Sequence, residues 1–125
     1  MGHPVVHFEI IGQDPSWLRG FFGELFGWEY EMTPVATPVS DPDDYGFIEL
    51  LTADDGAGIR GGIGGGLGHE PRAIFYVGVD DVEQTLECAE RLGASRQMGP
   101  ETAPNGLVVA HFTDPEGNLI GLAGG

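Results

Sequence analysis

Apolar and polar positions alternate from the start of the chain. Val5 to Ile11 is a β-rich run that places Phe8 and Ile10 on one face and His7, Glu9 and Ile11 on the other. Asp14-Pro15-Ser16 then reads as a helix start, with Asp as N-cap and Pro in the first turn. Leu18, Phe21, Phe22 and Leu25 follow the i, i+3, i+4, i+7 spacing of a buried helix face. Gly20, Gly23 and Gly27 make a second stripe, and since glycine costs about 1 kcal/mol in a helix relative to alanine, close packing against a sheet is expected there. Gly27 ends the helix. Short strands are expected at Trp28–Met32, at Tyr45–Thr52 and, interrupted by glycine, at Ala57–Ile63, with a Pro- and Asp-rich loop over Thr33–Asp44 and a hairpin turn at Asp54-Asp55-Gly56.

The pattern then repeats. Arg72–Val79 is a strand and Asp80-Asp81 caps a second helix whose apolar face is Val82, Leu86, Ala89 and Leu92, with Glu87 and Arg91 as an i, i+4 pair on the wet side. Gly93 stops that helix, and strands are expected at Ala94–Met98, Leu107–Thr113 and Asn118–Ala123, the last two joined by the turn Asp114-Pro115-Glu116-Gly117. His7 to Asp14 has the same spacing as Ile74 to Asp81. An internal repeat at this scale predicts the architecture: one α+β domain over residues 1–125, made of a βαβββ repeat at about 4–63, a glycine-rich joint at 64–71 and a second βαβββ repeat at about 72–124. Two such half-sheets are expected to form a cup-shaped mixed sheet with the helices on its outer face.

Charge narrows the partners. The 125 residues include 20 acidic and only 5 basic side chains, a formal net charge of −15. Phosphate recognition needs a basic face, so nucleic acid and anionic membrane surfaces are not expected as partners. Such a field favours a cationic ligand, or does no more than keep the protein soluble. Met1-Gly2-His3-Pro4 lacks the charged and apolar regions of a signal peptide, and no apolar run spans a bilayer, so a cytoplasmic location is expected. The single cysteine, Cys88, excludes an intrachain disulfide and is read as a packing residue beside Leu92. Gly61–Gly68 lacks the lysine and Ser/Thr of a phosphate loop and is read as a flexible joint.

Four segments together resemble the vicinal oxygen chelate superfamily, which holds glyoxalase, bleomycin-resistance and dioxygenase proteins. They are Val6-His7-Phe8-Glu9-Ile10 leading to Asp14, Phe21 to Trp28, Phe75 to Asp81, and Asp114 to Asn118. The resemblance implies the fold described above and, by analogy with members of this size, a homodimer. Metal-dependent members carry one His, Glu or Gln ligand on each of four cup-lining strands. Carried over, those positions fall on His7, at or near Arg60, on Ile74 and on Gly121. Only His7 is a competent ligand, because a guanidinium has no lone pair to offer. A divalent metal is therefore disfavoured and no other cofactor is expected; a rearranged metal site drawing on Glu9, Glu49 and His111 is the alternative.

The candidate ligand-binding residues are His7, Glu9, Glu49, Arg60, Tyr76 and His111. His7 either lines the cup or is a strand histidine satisfied by a neighbour. Glu9 and Glu49 serve as base, as cation partner, or as solvated carboxylates. Arg60 clamps an anionic group or pairs with an acidic neighbour, Tyr76 stacks on a ligand or fills the cup floor, and the face that His111 occupies is open. The expected function is metal-free binding of a small organic molecule in the cup, sequestration being one form of it. The alternative is a metal-dependent or His/Glu-based lyase, isomerase or dioxygenase, and a cup left vestigial in a larger assembly is a third reading.

Overall fold

A computed structural model describes residues 2–35, 37–48 and 58–125. Along them run β1 (Val5–Gly12), α1 (Pro15–Phe26), β2 (Tyr30–Met32), β3 (Gly46–Ile48), β4 (Arg60–Gly65), β5 (Arg72–Val79), α2 (Val82–Arg91), β6 (Ser95–Thr102), β7 (Val108–Thr113) and β8 (Leu119–Gly124). The order is βαβββ twice, the α+β architecture that the repeat predicts. Glu49, the later part of the predicted Tyr45–Thr52 strand and the Asp54-Asp55-Gly56 turn lie outside the described residues.

The chain divides into two compact units, His7–Ala73 and Met1–Val6 with Ile74–Gly125. Within the first, the strand order is β2-β3-β4-β1, with β1 and β4 parallel and the other pairs antiparallel. Within the second it is β5-β8-β7-β6, with β5 and β8 parallel and the rest antiparallel. Parallel neighbours need a crossover, and in each unit the helix belongs to it.

The caps form as the sequence predicts. The Asp14 side chain accepts from the Trp17 amide, and Gly27 closes α1 in the left-handed region at φ 73°. The Asp81 side chain accepts from the Gln84 amide at the start of α2. In the last turn, Asp114 Oδ1 accepts from the amides of Glu116 and Asn118, both at 2.9 Å, which is why Asp opens that motif. α2 lays Val82 and Leu86 against Val79, Ala110 and Leu122, and Ile74, Tyr76 and Ala123 form a second cluster. Full burial of each aliphatic side chain contributes about 2 kcal/mol.

Both helix faces differ from the periodic expectation. In α1, Leu18 and Phe22 are half-buried, but Phe21 and Leu25 are exposed. The apolar band of α1 is wider than the surface its unit offers, so one stripe packs and the next faces out. The glycine stripe is only partly packed: a Cβ at Gly23 would meet the Trp28 carbonyl at 3.2 Å and the Tyr30 ring of β2 at 3.9 Å, but nothing lies within 4 Å of one placed at Gly20 or Gly27. In α2, Leu92 is exposed beyond the helix end, and Cys88 is exposed rather than packed beside it. The ion pairs of α2 run to Arg96 of β6, from Glu83 at 2.6 Å and Glu90 at 3.0 Å, rather than from Glu87 to Arg91.

The predicted joint is anchored too. β4 continues through Gly65, whose amide donates to Ser40 Oγ at 2.8 Å and whose carbonyl accepts from the Asp41 amide at 2.7 Å. Gly66 donates to the Gly12 carbonyl at 3.0 Å. The expected loop is thus tied to the end of β4 through the Ser40 side chain and the Asp41 backbone.

Candidate functional site

β1 presents His7 and Glu9 two residues apart, on one face of the strand. β4 runs parallel beside it, with Arg60 in register with His7 and Gly62 in register with Glu9. On that face β4 offers no side chain at Gly62 or Gly64. The ring of Tyr45, which immediately precedes β3, occupies the space. A Cβ at Gly64 would lie 2.5 Å from Tyr45 Cδ2, and one at Gly62 would fall inside the ring's van der Waals envelope. Gly61, on the opposite face, makes the same room for the Phe8 ring. The glycines that weaken β4 as a strand are therefore seats for two aromatic rings.

Lying on the bare strand, Tyr45 reaches β1. Its hydroxyl donates to Glu9 Oε2 at 2.8 Å and stands 3.1 Å from His7 Nε2. A hydroxyl has one proton. Since Tyr45 gives it to Glu9, the His7 contact is Nε2–H donating to the Tyr45 oxygen, and the ring's lone pair sits on Nδ1. Tyr45 is 2% exposed and Glu9 3%, so this hydrogen-bonded chain is shielded from bulk water. Glu9 is thus not the solvated carboxylate that an open strand face suggests. Burial pushes the His7 imidazole down to about 4, because the charged form loses its hydration. The ring is neutral at pH 7. Phe47 stands against both partners, with ring centroids 4.9 Å from Tyr45 and 6.1 Å from His7, and keeps 38% of its surface exposed.

The second unit builds a polar pair by the same device. Gly121 of β8 is in register with Tyr76 on one side and His111 on the other. A Cβ at Gly121 would lie 2.5 Å from Tyr76 Cδ2. The Tyr76 ring crosses that gap, and its hydroxyl lies 2.7 Å from His111 Nε2. Both side chains are buried, at 3% and 2% exposure.

Of the six sequence candidates, His7 and Glu9 come together around Tyr45, Tyr76 joins His111, and Arg60 is exposed at the start of β4. Glu49 lies outside the described residues. Ile74 belongs to an apolar cluster, and the hydrogen of Gly121 is covered by a tyrosine ring. Among the described residues, no three His, Cys, Asp or Glu side chains are grouped so as to hold a metal ion. Sequence reasoning missed Tyr45. The available signal was the alternation of Gly62 and Gly64 on one face of a strand, which marks a seat for something large.

The sequence profile of the Glyoxalase/Bleomycin resistance protein/Dioxygenase superfamily matches residues 5–122. No curated protein matches the sequence. Among solved structures, methylmalonyl-CoA epimerase from Streptomyces coelicolor, in complex with 2-nitronate-propionyl-CoA, superposes with a TM-score of 0.67 at 15% identity, covering 98% of this chain and 96% of that one. A hypothetical protein from Bacillus halodurans C-125 gives 0.69 at 12% identity over 100% and 96% of the two chains. A superfamily member from Vibrio splendidus 12B01 gives 0.58 at 17% identity over 99% and 100%. At these identities the likeness is one of fold.

Proposed function

This chain belongs to the Glyoxalase/Bleomycin resistance protein/Dioxygenase superfamily, and on that premise we propose that it binds a small organic molecule at the His7–Tyr45–Glu9 site without a metal ion. The observation that carries the reading is the shielded hydrogen-bond chain from His7 through Tyr45 to Glu9. The superfamily's metal chemistry needs several electron-pair donors at once. The corresponding positions here hold one imidazole, a guanidinium, an alkyl chain and a hydrogen, and this donor set does not fit a divalent ion. What the residues offer instead is a buried acidic group beside an exposed aromatic ring. Glu9, held through Tyr45 to His7, brings acidic character to the site, and Phe47 provides a flat apolar surface for the body of a ligand. With a net charge of −15 the long-range field favours a cation. The matching ligand is a small aromatic or apolar amine. An acyl-CoA, with its several phosphates, is repelled by the same field.

A neutral imidazole hydrogen-bonded through a hydroxyl to a carboxylate also supports a second reading, general acid–base catalysis without a metal. Calorimetry with a panel of small aromatic amines, on protein dialysed against EDTA, tests the binding site. Binding is expected in EDTA, weakened at least about tenfold by Tyr45→Phe, which removes one buried hydrogen bond to a charged group. A protein that retains stoichiometric metal through EDTA, or binds only after metal is restored, contradicts the reading. Ligand consumed catalytically rather than held one to one selects the second.

A further inference from the structure

Arg60 shares a strand face with His7 and Glu9. It is in register with His7 across the parallel β1–β4 pair, as Gly62 is with Glu9, and in-register neighbours point to one side of a sheet. Phe47 of β3 is in register with Gly62 from the other edge of β4, so it belongs to the same face. His7, Arg60 and Phe47 therefore stand on three adjacent strands, each about 5 Å from the next, and all lie in the unit His7–Ala73. With hydrogens at Gly62 and Gly64, Arg60 is the one side chain that β4 gives to this face.

Arg60 is exposed, and among the described residues it forms no ion pair. Other arginines of the chain are engaged. Arg19 donates to the Asp44 carbonyl at 2.7 Å, and Arg96 holds Glu83 at 2.6 Å and Glu90 at 3.0 Å. In a chain with 20 acidic side chains, an arginine is readily matched, yet this one keeps its fork of N–H donors open to water. That fork fits a carboxylate with two parallel hydrogen bonds. The face thus has two electrical ends. Glu9, 3% exposed and held through Tyr45 to His7, is the acidic one. Arg60, roughly 7 Å further back along the strand direction, is the basic one.

We propose that the ligand of this face is amphoteric, a small aromatic or apolar amine that also carries a carboxylate, with the carboxylate on Arg60, the amine toward Glu9 and the apolar body on Phe47. The amine end rests on the function proposed above, and the carboxylate end rests on Arg60. Long-range electrostatics agree. A plain anion is repelled by a net charge of −15, and a plain amine meets the unmatched guanidinium at close range. A zwitterion carries no net charge to be repelled, and its two ends match those of the face.

Calorimetry in EDTA with three probes sharing one body, phenethylamine, phenylalanine and 3-phenylpropionate, separates the two ends. Phenylalanine is expected to bind about tenfold more tightly than phenethylamine, the effect of one charge-assisted fork. Arg60→Gln is expected to abolish that difference, and Arg60→Lys, a charge without the fork, to keep only part of it. Arg91→Gln makes the same change of net charge at the end of α2 and is expected to leave the difference in place. Phenylalanine binding no better than phenethylamine, or an advantage that survives Arg60→Gln, overturns the carboxylate end and leaves the amine site standing. An advantage lost equally in Arg91→Gln also overturns it, by assigning the effect to the overall field. If phenylpropionate binds as tightly as phenylalanine and loses that affinity in Arg60→Gln, the face takes a plain acid, and the amine reading falls with the amphoteric one. Binding of none of the three overturns both.

Discussion

Replacing Gly62 with alanine is expected to destabilise the protein by about 2–3 kcal/mol and to lower its melting temperature by roughly 10 °C. In most strands the same change is neutral or stabilising, since alanine restricts the unfolded chain and gains about 0.4–1 kcal/mol. Gly62 differs because its missing side chain is occupied. A Cβ there falls within the Tyr45 ring. The ring cannot tilt away cheaply, because its far end is fixed by Glu9 at 2.8 Å and by His7 at 3.1 Å. Overpacking costs about 1–3 kcal/mol. If the ring swings out instead, a buried carboxylate loses a hydrogen bond worth about 1.5–3 kcal/mol. Either route exceeds the entropic gain. Thermal denaturation of Gly62→Ala beside Gly20→Ala makes the contrast plain. Gly20, with open space around it, is expected to gain about 1 kcal/mol from helix propensity. Equal and small effects at both positions would mean that Tyr45 does not lie on the bare strand.

The second large effect is on pH dependence. His7 titrates near its ordinary value of 6.5 in the unfolded chain and at about 4 in the folded one. Between those values the unfolded state takes up a proton that the folded state refuses. Stability therefore falls as pH drops below about 6.5, with a slope approaching 1.4 kcal/mol per pH unit, and the loss levels off once the folded ring is protonated below about 4. The whole contribution is about 3 kcal/mol, present at neutral pH and absent at the acid end. Chemical denaturation of wild type and His7→Gln across pH 4–7 isolates it. The difference in stability between the two proteins is expected to shrink by about that amount from pH 7 to pH 4. A difference that stays constant contradicts the burial of a neutral His7.

The two-fold βαβββ order was legible in the sequence for physical reasons. Asp14 and Asp81 are caps whose side chains satisfy backbone amides, and the strands before them end at the same distance, so the repeats align without knowledge of tertiary contacts. The helix faces were only half legible. Periodicity reports that α1 is apolar over Leu18, Phe21, Phe22 and Leu25. It does not report which stripe packs, because an exposed aromatic stripe has the same spacing as a buried one. The site was legible at His7 and Glu9, which strand alternation places side by side. It was not legible at Tyr45, because the strand expected over Tyr45–Thr52 does not show that the ring at its start lies across bare β4 to reach β1. Nor did Gly61, Gly62 and Gly64 read as seats, since glycine in a sequence signals a turn or a weak strand long before it signals the ring lying on it. His111 and Tyr76 meet only because Gly121 stands between them, a relation across three strands that spacing along the chain does not encode.

The most direct test of a hydrogen-bonded rather than metal-binding site is the long-range proton–nitrogen correlation spectrum of the His7 ring at pH 7, recorded before and after addition of zinc. The account predicts a neutral ring with its hydrogen on Nε2 and a lone pair on Nδ1, unchanged by zinc. A charged ring, a hydrogen on Nδ1, or an Nε2 resonance that moves as zinc is added would contradict it.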